Sequence, residues 1–133
     1  MRHFILSILL TLLAVAPLRA GESVARAVIS DQIAAFEAGE LGRAYGFASP
    51  FIQEKFQTPE TFGRMVREGY PMVWRPSEVT FLEAREMGGR LWQEVFLRDA
   101  AGRGWIAEYE LVGIDGEMRI NGVRIREAPD QAV

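Results

Sequence analysis

The hydrophobic pattern of this chain changes period once, near Tyr70, and that change limits the folds open to it. Before Tyr70, apolar residues recur at the spacing of about 3.6 residues that is typical of helices. After it, they alternate with polar residues, as in strands with one buried face. Short turn-like links join these later segments, and strands joined so tightly run antiparallel. The sequence therefore predicts an α+β fold, with N-terminal helices packed on one face of a curved antiparallel sheet.

The first half of the chain carries helix signals. Helices are expected over residues 23–38, 40–48, 50–56 and 59–69. The first is an amphipathic pattern that Gly39 stops. Ser49 and Thr58 are favourable N-caps, and each is followed by a proline at the first helical position.

The second half carries strand signals. Long strands are expected at residues 78–87, 91–98, 105–113 and 118–127. The dipeptide Asp115-Gly116 is the strongest hairpin signal between them. Ahead of these strands, residues 70–74 are expected to form a short edge segment bounded by Pro71 and Pro76, because proline cannot donate to a central ladder.

The third long strand indicates which face of the sheet meets the helices. Its helix-facing residues are expected to be Trp105, Ala107, Tyr109 and Leu111. Glu108 and Glu110 then point outward, as ordinary surface charges paired with Arg98, Arg119 or Arg126. On the second strand, Trp92 and Phe96 share that outer face, and an apolar face needs cover. We therefore predict a homodimer through the sheet.

The N-terminus has the pattern of a secretory signal peptide. Met1-Arg2-His3 is a short basic start, and residues 4–16 are an uncharged run of 13 residues. A bilayer-spanning helix needs about 20 apolar residues. We expect cleavage after Ala20 and a periplasmic or secreted protein, with an uncleaved anchor as the alternative. Residues 21–128 are then one domain and 129–133 a loose tail.

Charge and residue types exclude several chemistries. Once Arg2 and Arg19 leave with the signal, 13 basic and 18 acidic side chains remain, a net charge of about −5. That balance argues against nucleic acid, and against a membrane as partner after cleavage. The chain has no cysteine, and its only histidine, His3, is expected to leave with the signal. Cys-His and Ser-His-Asp catalysis are therefore excluded, as are zinc sites with N or S ligands. No metal or cofactor is predicted.

Several segments of the chain resemble a known family. They are residues 29–36, Ala44-Tyr45, Ala48-Ser49-Pro50, residues 62–66 and Gly69-Tyr70-Pro71. Over residues 27–127 the chain resembles an uncharacterised exported family of alphaproteobacteria, domain of unknown function 4864. More distantly, it resembles the cone-shaped nuclear transport factor 2-like superfamily, which includes ketosteroid isomerases, polyketide cyclases and non-catalytic binding domains. The resemblance implies a fold and leaves the activity open.

The aromatic residues suggest a pocket if the cone keeps an opening. Its expected lining is Gln32, Tyr45, Tyr70, Trp74, Arg75 and Tyr109. Gln32 falls in the apolar stripe of the first helix, where it either bonds to the sheet backbone or contacts a ligand. Arg75 either stacks on Trp74, binds a carboxylate or pairs with Glu78. If rings fill the cone instead, the domain is a protein-interaction module, with a periplasmic protein as partner.

An enzyme is the remaining alternative. Isomerase-like relatives use a carboxylate base inside the cone. Glu83 is the candidate here, because in a regular strand it shares a face with Phe81. Arg85 shares that face as well, and a carboxylate paired with arginine is a weak base. The sequence therefore favours a non-catalytic domain that binds a small apolar molecule or a protein.

Overall fold

The computed structural model describes residues 17–129. The apolar run at 4–16 and nearly all of the predicted tail lie outside the described residues. Within that range the elements are α1 (Pro17–Glu37), α2 (Leu41–Gly46), α3 (Pro50–Phe56), α4 (Pro59–Gly69), α5 (Pro71–Trp74), β1 (Glu78–Met87), β2 (Arg90–Arg98), β3 (Gly104–Ile114) and β4 (Glu117–Glu127). None of these helices is long and apolar enough to cross a membrane.

Local signals set the helix boundaries. The Ser49 hydroxyl accepts the Ile52 N–H at 3.3 Å, and the Thr58 hydroxyl accepts the Thr61 N–H at 3.1 Å, so both predicted N-caps are confirmed. Gly39 ends α1 at a φ of 72°, a conformation that glycine adopts without strain. The helix begins at Pro17, earlier than expected, so the predicted cleavage site after Ala20 falls in its first turns.

The prediction of an edge strand segment at 70–74 is wrong. Residues 71–74 form the short helix α5, with Pro71 at its first position. Proline lacks an N–H and has a fixed φ, and both properties suit a first helical turn as well as a sheet edge. The hydrophobic pattern of so short a segment cannot distinguish a helical turn from an edge strand. The turn buries Met72 and Val73 against the core.

The strands form one antiparallel sheet in the order β1-β2-β3-β4, which confirms the predicted fold class. The sheet is curled and unclosed, with the helices on one face. The core lies between them, where α1 contributes Ile29 and Phe36 and the sheet contributes Val95, Tyr109 and Leu111.

The outer face of the sheet carries Trp92, Glu94 and Phe96 on β2 and Ile106, Glu108 and Glu110 on β3. The glutamates point outward as predicted, but their expected partners are wrong. Glu108 pairs with Arg85 at 3.2 Å, and Glu110 pairs with Arg90. Arg98 pairs instead with Glu78, Arg119 with Glu117 and Arg126 with Glu94. Arg98 lies directly opposite Glu78 in the register of β1 and β2, whereas Arg126 reaches Glu94 across β3.

Candidate ligand pocket

A cavity of about 250 Å³ opens between the helices and β4. The helical walls include Phe36 of α1, Ile52 and Phe56 of α3, and Phe62 and Val66 of α4. The sheet contributes residues 120–123 of β4. Four of the sixteen lining residues are polar, namely Gln32, Lys55, Tyr70 and Asn121. A mostly apolar wall with a few polar groups is typical of small-molecule sites.

The joint between α3 and β4 holds one end of this cavity. The Ser49 N–H donates to the Ile120 carbonyl at 2.8 Å, and the Ser49 hydroxyl donates to Asn121 Oδ1 at 2.7 Å. Asn121 lies at an irregularity in β4, since Glu110 pairs with Gly122 and Leu111 with Ile120. Its Nδ2 donates to Glu110 Oε1 at 3.2 Å. Asn121 therefore ties the start of α3 to the sheet.

Of the six residues predicted to line a pocket, Gln32 and Tyr70 lie on the cavity wall. Gln32 is 3% exposed, and its Nε2 donates to the Ala44 carbonyl at 3.1 Å. The partner is therefore a carbonyl of α2, and the expected bond to the sheet backbone is wrong. Because α2 packs beside α1, the Gln32 side chain reaches a carbonyl of α2 instead of the sheet. Gln32 can both tie two helices together and contact an occupant of the cavity.

The other four predicted residues do not line the cavity. Tyr45 packs on Phe62 with ring centroids 5.7 Å apart, and its hydroxyl donates to the Gln53 carbonyl at 2.6 Å. Tyr109 is fully buried in the sheet, and this burial raises the pKa of its phenol well above the ordinary value. Both rings pack in the core and leave no space for a ligand at their positions.

Trp74 and Arg75 close the C-terminal end of α1. The Trp74 ring packs on Phe36 at a centroid distance of 5.4 Å, and the Arg75 guanidinium lies 4.6 Å from the Trp74 ring centroid. Arg75 also donates to the Phe36 carbonyl at 2.7 Å. A cation bound to a carbonyl in the last helical turn is a stabilising arrangement. Of the three alternatives for Arg75, the structure shows the stack, whereas Glu78 pairs with Arg98.

Glu83 does not share a face with Phe81, so that prediction is wrong. Phe81 pairs with Val95 and Ala84 pairs with Gln93, which leaves Leu82 and Glu83 together opposite Glu94 in a bulge. The extra residue reverses the alternation, and Glu83 is exposed beside the outer face. The groove there has a volume of only about 50 Å³. No carboxylate lines the main cavity among residues 17–129, so an interior base is missing there.

Sequence reasoning missed Lys55 and Asn121, as well as the apolar face of α3. Ile52 and Phe56 are four residues apart on that helix and both line the cavity, with Lys55 beside them. Residues at this spacing lie on one face of a helix, so the sequence could have indicated an apolar face of α3. Asn121 carried no signal, because its position depends on the strand irregularity. Within residues 17–129, no group of three acidic or histidine side chains is placed to hold a metal ion.

Comparisons with known proteins support the fold. The sequence profile of a family described as domain of unknown function (DUF4864) matches residues 19–133. An NTF-2 like protein of unknown function from Burkholderia xenovorans has a similar structure, with a TM-score of 0.52 and 11% identity over 82% of this chain and 88% of that chain. Aln2 from a Streptomyces species is similar with a TM-score of 0.53 and 13% identity, over 84% and 93% of the two chains. No curated protein matches the chain. At such identities the likeness shows the fold alone.

Proposed function

This chain belongs to the DUF4864 family and has an NTF-2-like fold, and from that premise we propose that it is a non-catalytic module that binds a small apolar molecule. The occupant lies in the cavity between α1, α3, α4 and β4. One observation carries the proposal: a space of about 250 Å³ remains among aromatic rings and aliphatic side chains. A chain of this size gains stability from filling its core, so an unfilled apolar space favours binding.

The size of the cavity limits its ligand. An apolar cavity of about 150 Å³ holds benzene in another protein. In proportion, 250 Å³ accommodates about ten non-hydrogen atoms. Each buried methylene contributes about 0.8 kcal/mol to binding, and part of that is lost to the entropy of association. We therefore expect small molecules of eight or so carbons to bind weakly, with Kd values of about micromolar to millimolar.

A titration with octanol, observed by amide NMR, tests the proposal. We expect saturable shifts at the cavity residues Val66 and Gly122. Val123→Phe and Val66→Phe each add a ring to the wall, and either should abolish the shifts. Val24→Phe is the matched control, because Val24 is 49% exposed on the outside of α1. If the folded wild-type domain shows no saturable shift, the binding proposal is wrong and the protein-interaction alternative takes its place.

We also propose that the domain works outside the cytoplasm. The support is the signal-like pattern of residues 1–20. Cleavage after Ala20 would shorten α1 only at its start, and its buried residues from Ala25 to Phe36 all come later. The mature protein recovered from the cell envelope should begin at Gly21 by intact mass. Recovery only from the cytoplasm would contradict export, whereas a full-length mass in the cell envelope would mean that the segment is kept as an anchor.

A further inference from the structure

We infer that the cavity takes an anionic amphiphile, meaning a molecule with a short apolar body and one carboxylate, and that Lys55 binds the carboxylate. This inference rests on the proposed function, because it names the chemical class of ligand for the same cavity. The apolar body fits the ring-lined interior and the acid lies at the mouth.

Within residues 17–129, Lys55 is the single charged residue that lines the cavity. It is exposed on α3, next to Phe51, which is 62% exposed and lines the same opening. Its Nζ lies 5.5 Å from the centroid of the Phe56 ring, another wall residue. The ammonium therefore stays beside the cavity wall and keeps one side against an apolar surface.

This ammonium has no acidic partner within residues 17–129. The salt bridges of that range all use arginine, and none involves Lys55. Lys55 is also the only lysine of the chain. In an acidic domain whose arginines are largely paired, an unpaired ammonium at an apolar opening is the natural partner for an incoming anion.

The rest of the cavity does not oppose a negative charge. In the part of the chain that the structure describes, neither aspartate nor glutamate lines it, and its other polar groups are the amides of Gln32 and Asn121 and the phenol of Tyr70. Glu110, which contacts the lining residue Asn121, already accepts a hydrogen bond from it and pairs with Arg90. A carboxylate at the mouth would thus meet the Lys55 ammonium and no acidic side chain of the described cavity lining.

The expected preference for an acid is modest. An exposed ion pair contributes little, whereas a charged hydrogen bond beside an apolar wall contributes more. We expect octanoate to bind about threefold to tenfold more tightly than octanol, which has the same chain length and no charge. Each methylene should strengthen binding about fourfold. Octanoate should therefore bind more tightly than hexanoate, which is two methylenes shorter.

The test titrates octanoate and octanol into the wild-type domain and into Lys55→Gln, with amide shifts at Gly122 and Val66 as the readout. Lys55→Gln should bring the two affinities within about twofold of each other, mainly by weakening octanoate. Lys55→Glu should reverse the preference. Arg43→Gln is the matched control, because Arg43 is an exposed cation that lies 5.8 Å from the Phe47 ring and outside the cavity lining.

The single lysine provides a second readout. Reductive methylation with isotope-labelled formaldehyde keeps the charge of Lys55 and gives one side-chain signal, apart from the terminal amine. That signal should shift with octanoate and stay in place with octanol. Equal affinities for the acid and the alcohol in the wild type would overturn the inference and leave the proposed function standing. A wild type that binds neither would overturn both.

Discussion

Tyr109 of β3 lies directly opposite Gln93 of β2 on the helix-facing side of the sheet, and both side chains are fully buried. Among residues 17–129, neither the phenol oxygen of Tyr109 nor Oε1 of Gln93 has a hydrogen-bond partner. A buried polar atom without a partner raises the free energy of the folded state. Removal of the Tyr109 hydroxyl should therefore change the free energy of unfolding little.

Tyr109→Phe should leave the free energy of unfolding unchanged or raise it by up to about 1 kcal/mol, because the hydroxyl that it removes forms no bond. Tyr45→Phe is the matched comparison. It removes the 2.6 Å bond to the Gln53 carbonyl and should lower the free energy of unfolding by about 1 kcal/mol. Urea unfolding of the three proteins measures both changes. A loss with Tyr109→Phe as large as that with Tyr45→Phe would mean that the Tyr109 hydroxyl has a partner.

Tyr109 should also make the domain sensitive to alkali. Burial raises the pKa of its phenol above the ordinary value of 10.0. Above about pH 10 the unfolded chain loses this proton while the folded protein keeps it, so the free energy of unfolding falls by up to about 1.4 kcal/mol per pH unit. The stabilising contribution is complete below pH 10. Unfolding curves on either side of that pH should show a steeper decline in the wild type than in Tyr109→Phe; equal slopes would contradict the assignment.

Gln93 should stabilise the bulge of β1. Its Nε2 donates to the Glu94 carbonyl at 2.8 Å and to the Leu82 carbonyl at 3.2 Å. Gln93→Leu keeps the volume and removes the donor, and it should lower the free energy of unfolding by about 1–3 kcal/mol. Relative to the wild type, amide exchange should speed up more at residues 82–84 than in the β3–β4 hairpin. Unchanged stability together with unchanged exchange would show that the strand irregularity holds without the amide.

Asp99 should support folding at neutral pH and lose this effect in acid. Its Oδ2 accepts the Trp105 indole N–H at 2.8 Å, and its Oδ1 accepts the Ala101 and Arg103 backbone N–H groups. The Trp105 bond, followed by the Arg103 backbone bond, lowers the pKa of Asp99 below 3.8. Because the folded-state pKa is lowered, the contribution is present above about pH 4 and declines as the pH falls through the folded-state value.

Asp99→Asn should therefore lower the melting temperature at neutral pH, with a difference from the wild type that narrows below about pH 4. Asp115→Asn is the control, since Asp115 lies in the β3–β4 turn at a φ of 51°, which asparagine tolerates. A difference that is constant across the acidic range would mean that the charge of Asp99 plays no part.

Homodimerisation through the outer face stays a prediction. The Trp92 and Phe96 rings are half-buried there, with the Arg124 and Arg98 guanidinium groups each 5.2 Å from a ring centroid. We expect a dimer at micromolar concentration by light scattering. Phe96→Glu should give a folded monomer, because it removes apolar surface from the contact. Val24→Glu, on the helical side, should remain dimeric. A monomeric wild type would contradict the prediction.

Local patterns were sufficient for most of the architecture. Ser49 and Thr58 marked helix starts because an N-cap acts within three residues of itself. The four strands followed from the alternation of apolar and polar residues. The hairpin turn at Asp115-Gly116 followed from the positive φ values that such a turn requires. These effects operate between neighbours in the chain, so a single sequence contains them.

The position of the pocket depended on tertiary structure. Ile52 and Asn121 line one cavity although 69 residues separate them along the chain, and the joint at Ser49 that brings them together leaves no periodic signal. Glu83 moved to the other face because a bulge adds one residue, and pairing with β2 decides where that residue goes. The sequence alone was enough for the four strands and four of the five helices, but not for α5 or for the face on which Glu83 lies. Only packing decided which aromatic rings fill the core and which leave a space, because that depends on the volumes of residues distant in the chain.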